Sequence, residues 1–341
     1  MKLIETKNAV GHVLCHDLTR IVPGEMKGPQ FRKGHVVTEE DIPMLLSMGK
    51  EHLYVWTLEE GMLHEDDAAA RLARVLAGPG MRLSEPQEGK IELTAEYDGL
   101  FRVDAERLFR INAIEGVMAA TRHDFFPVHA GDKLCGTRVI PLVIEEERIL
   151  EAERAAGDAP VLSLMPYRPM KAGIVTTGNE VFSGRIQDAF TPVVVEKLRA
   201  VGIEARFFEK SDDRKESIVQ AIRSVRDQGA ELVVCTGGMS VDPDDRTPAA
   251  IRLSGAEIVT YGAPVLPGAM FLLGYYSDGT PVMGLPGCVM YAAATIFDII
   301  LPRIAAGVRV DKLDFVRLGA GGLCLGCKPC RYPDCSFGKF A

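Results

Sequence analysis

No block of lysine or arginine occurs anywhere in the 341 residues, and 47 acidic side chains outnumber 39 Lys and Arg, leaving a formal net charge of −8. Such a chain offers no polycationic face to a nucleic-acid backbone or an anionic membrane, so neither is expected as a partner. A local basic pocket for a phosphorylated small molecule stays open. Tryptophan is nearly lacking: Trp56 is the only one, and a core position is expected for it. The N-terminus, MKLIETKNAVGHV, holds no apolar core long enough for a signal peptide. Residues 283–302 are the most membrane-like stretch, but Pro286 and Asp298 interrupt it, and a buried helix after a tight turn is expected there instead. A cytoplasmic location is the resulting expectation. There is no internal repeat and no long low-complexity segment. Histidine forms no helical H-x3-H pair, since His12 and His16 sit in strand or loop surroundings, and all seven are read as ordinary polar residues.

What is present fits a soluble globular protein of two or three domains, with 47% hydrophobic and 25% charged residues. The clearest boundary is AGDAPVLSLMPYRPMK, residues 156–171, rich in Pro and Gly. Beyond it, short apolar strands (172–176, 203–208, 232–235, 258–260, 281–283) alternate with helical faces marked by Val194, Leu198 and Val201 and by Ile218, Ile222 and Val225. That alternation predicts an α/β, doubly wound, mostly parallel sheet over 170–305. Before it, a smaller mixed α+β region is expected, with a β-rich part at 1–60 and a mixed domain at 61–160. The latter includes a hairpin across Asp98-Gly99 in KIELTAEYDGLFRV, a helix from Asp104 to about Thr121, and a strand Thr137–Ile144 broken by Pro141. A short Cys-rich tail, 306–341, closes the chain.

Three loops leave the predicted carboxyl ends of strands, where open α/β sheets bind ligands. They are Thr176-Thr177-Gly178-Asn179-Glu180 continuing to Asp188, then CTGGMSVDPDDRTPAA (235–250), then Gly284-Leu285-Pro286-Gly287-Cys288. Glycines let backbone N–H groups approach an anion, and a helix start favours negative charge. Together these loops predict a phosphate or pterin-phosphate cradle, with Thr236, Gly237, Gly238 and Ser240 holding the ligand. Carboxylates beside such a cradle point to a bridging cation, usually Mg²⁺. Asp188, Asp242, Asp244 and Asp245 are therefore candidates to place a metal or orient a reacting group. The alternative is that Asp242–Asp245 only form a turn before the helix opened by Thr247-Pro248.

In this order and on this frame, TTGNE, GRIQDAF, CTGGMSVDPDDRTPAA and GLPGC resemble the molybdopterin-binding domain shared by molybdopterin adenylyltransferases and molybdopterin molybdenumtransferases. A similar TGG…DD-x-T stretch occurs in the N-terminal domain of the competence/damage-inducible amidase family. The resemblance covers about residues 170–305, and the first sixty residues loosely resemble the β-rich linker of the molybdenumtransferases. It implies that Thr177, Gly178 and Glu180 form the first binding loop, that Thr236, Gly237, Gly238 and Ser240 form the pterin-phosphate loop, and that Gly284, Pro286 and Gly287 belong to the third. It implies catalytic roles for Asp188, near phosphate and metal, and for Asp245. The sequence departs from the family pattern at Asn179 (usually Asp), Asp242 (usually Gly) and Cys288 (usually Asn). With about 36 residues after Ala305, the C-terminal β-barrel of the molybdenumtransferases is expected to be missing.

The tail carries Cys324, Cys327, Cys330 and Cys335, spaced C-x2-C-x2-C-x4-C. Four soft ligands at that spacing predict one [4Fe–4S] cluster or one Zn²⁺, and the alternative is a disordered tail with redox-active thiols. Three functions stay open: Mg²⁺-dependent molybdenum (or tungsten) insertion into molybdopterin, non-catalytic carriage or sensing of the cofactor for a molybdoenzyme client, and nucleotide pyrophosphatase activity of the amidase N-domain type. Molybdate or tungstate and a pterin phosphate are the expected small molecules, and a homo-oligomer is the expected assembly.

Overall fold

The computed structural model describes residues 2–22, 26–55, 60–240, 242 and 245–339, so that Trp56 and Asp244 lie outside the described residues. The chain divides into two compact units, one of Met1–Glu96, Val103–Arg122 and Ala130–Ser163, the other of Tyr97–Arg102, His123–His129 and Leu164–Ala341.

In the first unit, Lys2–Glu5 pairs antiparallel with His52–Val55, and Leu14, Leu18, Phe31, Val37, Leu45 and Leu53 form a small core. A four-stranded antiparallel sheet follows, ordered Met81–Leu83, Lys90–Ala95, Lys133–Val139, Val117–Thr121. The predicted strand at 137–144 is thus two, Lys133–Val139 and Val143–Glu145, broken around Pro141. The helix expected from Asp104 to Thr121 stops at Asn112. The Asn112 amide reaches forward to the backbone of Ala119, and Gly116 turns the chain at φ +82°, so the remainder becomes a strand. The hairpin expected across Asp98-Gly99 is also absent. Lys90–Ala95 pairs within the four-stranded sheet, whereas Gly99–Val103 joins Phe126–Val128 and Leu162–Pro166. Gly99 serves close approach rather than a turn: a Cβ there would lie 2.4 Å from the Met165 carbonyl oxygen.

The helix Glu65–Leu76 opens on a polar knot. The His64 Nδ1 accepts from the Asp66 amide at 3.1 Å and lies 3.0 Å from Lys33 Nζ, which also pairs with Asp66 at 2.9 Å. Glu65 is buried, and that burial, with Asp66 beside it, pushes its carboxyl up to about 7; Glu88 adds to the effect, while Arg138 and Lys33 oppose it. The folded state therefore holds the Glu65 proton more tightly than the unfolded chain, and this contribution to stability is lost as pH rises through about 7. Glu65→Gln is expected to raise the unfolding free energy by about 1–2 kcal/mol at pH 8 and to converge on wild type below the unfolded-chain range near pH 4.5. Urea denaturation at the two pH values reads this, and parallel curves at both would sink it.

In the second unit, β1 (Met170–Thr177), β2 (Ile203–Ser211), β3 (Leu232–Thr236), β4 (Glu257–Tyr261), β5 (Leu272–Tyr275) and β6 (Pro281–Leu285) form one sheet in the order β2-β1-β3-β6-β5-β4. β2, β1, β3 and β6 are parallel, and β5 is antiparallel to both of its neighbours. Every residue of β3 and β6 is buried, as strands covered on both faces require. After the short α1 (Asn179–Phe182), helices α2 (Phe190–Ala200) and α5 (Ile296–Ala305) cover one face through Val194, Leu198, Phe297 and Ile300; α3 (Lys215–Asp227) and α4 (Thr247–Leu253) cover the other through Ile218, Ile222, Ala250 and Ile251. The apolar stretch 283–302 is therefore strand β6, a 3-10 turn Gly287–Met290 and the start of α5, which Thr295 and Asp298 cap reciprocally. Among the described residues no helix is long and apolar enough to cross a membrane.

Candidate functional site

Three adjacent strands end level with one another. Thr176 pairs with Thr236, and Thr236 pairs with Leu285, so the loops after β1, β3 and β6 leave the sheet side by side. Gly178, Gly237 and Gly238 stand there at φ +134°, +87° and +55°, conformations that favour glycine. A Cβ on Gly237 would lie 2.3 Å from the Thr177 carbonyl oxygen, so the β3 loop lies directly against the end of β1.

Buried hydroxyls lock this arrangement. The Thr177 hydroxyl donates to the Thr236 carbonyl at 3.2 Å and lies 3.1 Å from the Thr247 hydroxyl, which donates to the Gly237 carbonyl at 2.8 Å. Tyr261, at the end of β4, donates to the carbonyls of Met239 and Ser240 at 3.2 and 3.1 Å. Burial and then the nearby Asp245 push its phenol up. Thr247 appeared in the sequence only as a helix start, and Tyr261, sixteen residues past Asp245, carried no sequence signal at all. The Thr236 hydroxyl is buried and has no hydrogen-bond partner among the described residues. Leaving such a group unmet costs about 1–3 kcal/mol, unless a ligand supplies the partner.

The acidic residues do not converge. Asp188 faces inward, with one carboxylate oxygen accepting the amides of Phe190 and Thr191 at 2.9 and 3.0 Å and the other accepting the hydroxyls of Thr191 and Thr176 at 2.5 and 3.2 Å. Burial alone would raise its pKa, but the bonds from Thr191, Phe190 and Thr176 outweigh that and hold the carboxyl below its ordinary range. Asp188 thus caps α2. Asp242 and Asp245 close a turn on each other: the Asp245 amide donates to the Asp242 carbonyl at 2.9 Å, and the Asp242 amide to the Asp245 carboxylate at 3.3 Å. The Asn179 backbone N–H donates to the Asp213 carboxylate, in the loop after β2, at 2.9 Å, while Glu180 is exposed. Among the described residues no three His, Cys, Asp or Glu side chains gather as a metal-holding group. Among the described residues, helix capping engages the Asp188 carboxylate and turn formation that of Asp245, while Asp244, the fourth member of the expected Mg²⁺ set, lies outside the described residues.

The tail departs from expectation in the same way. Cys327 and Cys330 are exposed, whereas Cys324 and Cys335 are half-buried against the core around α5. Among the described residues no three of these thiols gather as a metal-holding group. Nor does the tail need one to be ordered. The Leu266 amide donates to the Gly322 carbonyl and the Cys324 amide to the Leu266 carbonyl, both at 2.8 Å. The Tyr332 hydroxyl donates to the Asp298 carbonyl at 2.9 Å, and Phe337 is buried.

Residues 173–306 match the family described as a probable molybdopterin binding domain, and residues 3–57 match a domain family of unknown function. Similar curated proteins include a CinA-like protein of Mycobacterium avium (strain 104), 39% identical over 90 residues, and one of Mycobacterium tuberculosis (strain ATCC 25177 / H37Ra), 37% identical over 90 residues. Each match covers 26% of this chain and spans about a fifth, 21%, of the relative. Similar solved structures include the molybdopterin biosynthesis enzyme MoaB of Thermus thermophilus, with 23% identity over 40% of this chain and 97% of that one at a TM-score of 0.35. The tungsten cofactor synthesizing protein MoaB of Pyrococcus furiosus has 19% identity over 40% and 88% at a TM-score of 0.32.

Proposed function

With residues 173–306 forming a domain of the probable molybdopterin-binding family, we propose that this chain binds a molybdopterin-type pterin phosphate on the loops after β1, β3 and β6 and acts as a carrier of the molybdenum or tungsten cofactor in its biosynthesis or delivery. The level endings of the three strands at Thr176, Thr236 and Leu285 carry the reading, because they set three glycine-bearing loops against one ligand. Gly178 and Glu180 form one wall, Gly237, Gly238 and Ser240 the second and Gly287 the third, with the buried Thr177, Thr236, Gly284 and Pro286 supporting them from beneath. The anion would be met by loop N–H groups rather than by helix ends, since Asp188 already caps α2.

Carriage is favoured over metal insertion because the carboxylates of Asp188 and Asp245 are engaged in the fold. Purified protein incubated with molybdopterin should retain it, and adding molybdate, ATP and Mg²⁺ should release neither adenylylated pterin nor metal-loaded cofactor. Asp188→Asn and Asp245→Asn should keep pterin affinity within about threefold, because a carboxamide retains most of the capping geometry. Turnover in wild type that both variants lose would reinstate Asp188 and Asp245 as catalytic. The CinA-like relatives favour a second reading, cleavage of a nucleotide pyrophosphate by the same loops. Hydrolysis of ADP-ribose without pterin retention would select it. A homo-oligomer and a molybdoenzyme client belong to the proposal as partners; co-purification with a molybdoenzyme tests the client.

A further inference from the structure

One cleft of the α/β unit lies away from the glycine loops. It encloses about 650 Å³ at the opposite edge of the sheet, where β1, β3 and β6 begin near Met170, Glu231 and Pro281. Three guanidinium groups line it, those of Arg168, Arg226 and Arg309. Arg226 is committed: Asp278 lies 2.8 Å away, and the Tyr276 ring lies beneath it at 3.6 Å. Arg168 and Arg309 differ, since neither guanidinium has a hydrogen-bond or carboxylate partner among the described residues.

Both are nonetheless held in place. The Arg309 guanidinium stacks 4.2 Å from the centre of the Tyr275 ring, and the Tyr275 hydroxyl in turn accepts the Val310 amide at 3.0 Å. Arg168 lies across Gly307, where a Cβ would come within 2.2 Å of the guanidinium carbon. Its own amide donates to the Ala305 carbonyl at 2.8 Å. The two cations therefore flank one short turn, Gly307–Arg309.

Arginines also gather where helices end, because the C-terminal carbonyls are partly negative. That accounts for Arg226 in the last turn of α3 and Arg303 in the last turn of α5. It leaves Arg168 and Arg309 as surplus. Of the two carboxylates at the cleft, Asp278 is paired with Arg226, and Glu231 accepts the Lys171 amide at 2.9 Å.

We propose that this cleft binds a phosphorylated small molecule, its phosphate held between Arg168 and Arg309 with its body against Met170, Pro281 and Ile304. Two planar forks match a phosphate dianion, and stacking one on Tyr275 and laying the other over Gly307 lowers the ordering cost of capture. The site is separate from the glycine loops and stands whether or not those loops bind a pterin.

Arginine-selective phenylglyoxal modification of the full chain, mapped by peptide mass spectrometry, tests this with inorganic phosphate as the probe. Phosphate should slow modification of Arg168 and Arg309 by about fivefold or more relative to chloride of equal ionic strength, since screening alone treats the two salts alike. Arg309→Gln should abolish the protection of Arg168 without altering the far-ultraviolet circular dichroism. Equal rates in phosphate and chloride, or protection of Arg168 that survives Arg309→Gln, would overturn the site. Protection at Arg185, beside the first glycine loop, reports on the pterin cradle separately, so failure of one site is distinguishable from failure of the other.

Discussion

Alanine at Gly237 is expected to lower the unfolding free energy by about 3 kcal/mol and pterin affinity by at least about tenfold. Its φ of +87° is strained for any residue with a Cβ, and that Cβ would stand 2.3 Å from the Thr177 carbonyl oxygen and 2.8 Å from its hydroxyl oxygen. The obstacle is backbone at the end of β1, which pairs with both β2 and β3 and has nowhere to retreat. Relief requires the loop to lift away from Thr177, and lifting it breaks the Thr177–Thr236 and Thr247–Gly237 bonds that shape the cradle. Gly238→Ala should be milder, about 1–2 kcal/mol, because φ +55° lies in the ordinary left-handed well and the neighbour at 2.8 Å is the Thr247 side-chain hydroxyl. Gly287→Ala meets nothing within 4 Å and should change stability by under about 0.5 kcal/mol. Urea midpoints and fluorescence titration with the pterin order the three variants. Indistinguishable behaviour of Gly237→Ala and Gly287→Ala would remove the β3 loop from the site.

The parallel core was legible because strands buried on both faces leave continuous apolar runs, as in Leu232–Val233–Val234–Cys235. The glycine loops were legible because each follows such a run directly. β5 escaped, since four buried residues at Leu272–Tyr275 have no periodicity to separate strand from loop; the Asp278-Gly279 turn joining it to β6 was the available cue. The same dipeptide misled at Asp98-Gly99, where the glycine admits the Met165 carbonyl instead of turning the chain. The acidic residues are ambiguous in sequence for a related reason. Whether a carboxylate holds a metal or caps a helix depends on donors supplied from elsewhere, and the Thr176 hydroxyl that reaches Asp188 comes from another element twelve residues earlier. Thr177 and Thr236 were read as loop residues that hold the ligand, whereas they are the buried last residues of β1 and β3, so the threonine lock and the unpartnered Thr236 hydroxyl stayed hidden until the strands were set side by side.

Phe337→Ala is expected to cost about 3–4 kcal/mol, whereas Cys327→Ser and Cys330→Ser should each stay within about 0.5 kcal/mol. Cysteine spacing dominates the tail as sequence, and it suggests a segment that only metal could fold. The structure places the stabilisation elsewhere. Phe337 is 2% exposed, its ring stands edge-on to Tyr332 with centroids 6.0 Å apart, and Gly338 follows so close to Ile299 that a Cβ would come within 2.8 Å of that side chain. Lys339 donates to the Pro333 carbonyl at 2.6 Å and closes the loop from its far end. Truncating the ring opens a cavity against α5, and the lost packing spreads to Tyr332 and its bond to the Asp298 carbonyl. Exposed thiols contribute nothing comparable unless an ion joins them. Denaturation midpoints measured with and without a strong chelator decide between the two accounts. Apolar anchoring predicts no chelator effect and a large loss for Phe337→Ala. A chelator-sensitive midpoint, together with large losses for both serine variants, would instead mean that the cysteines gather around a metal and order the tail themselves.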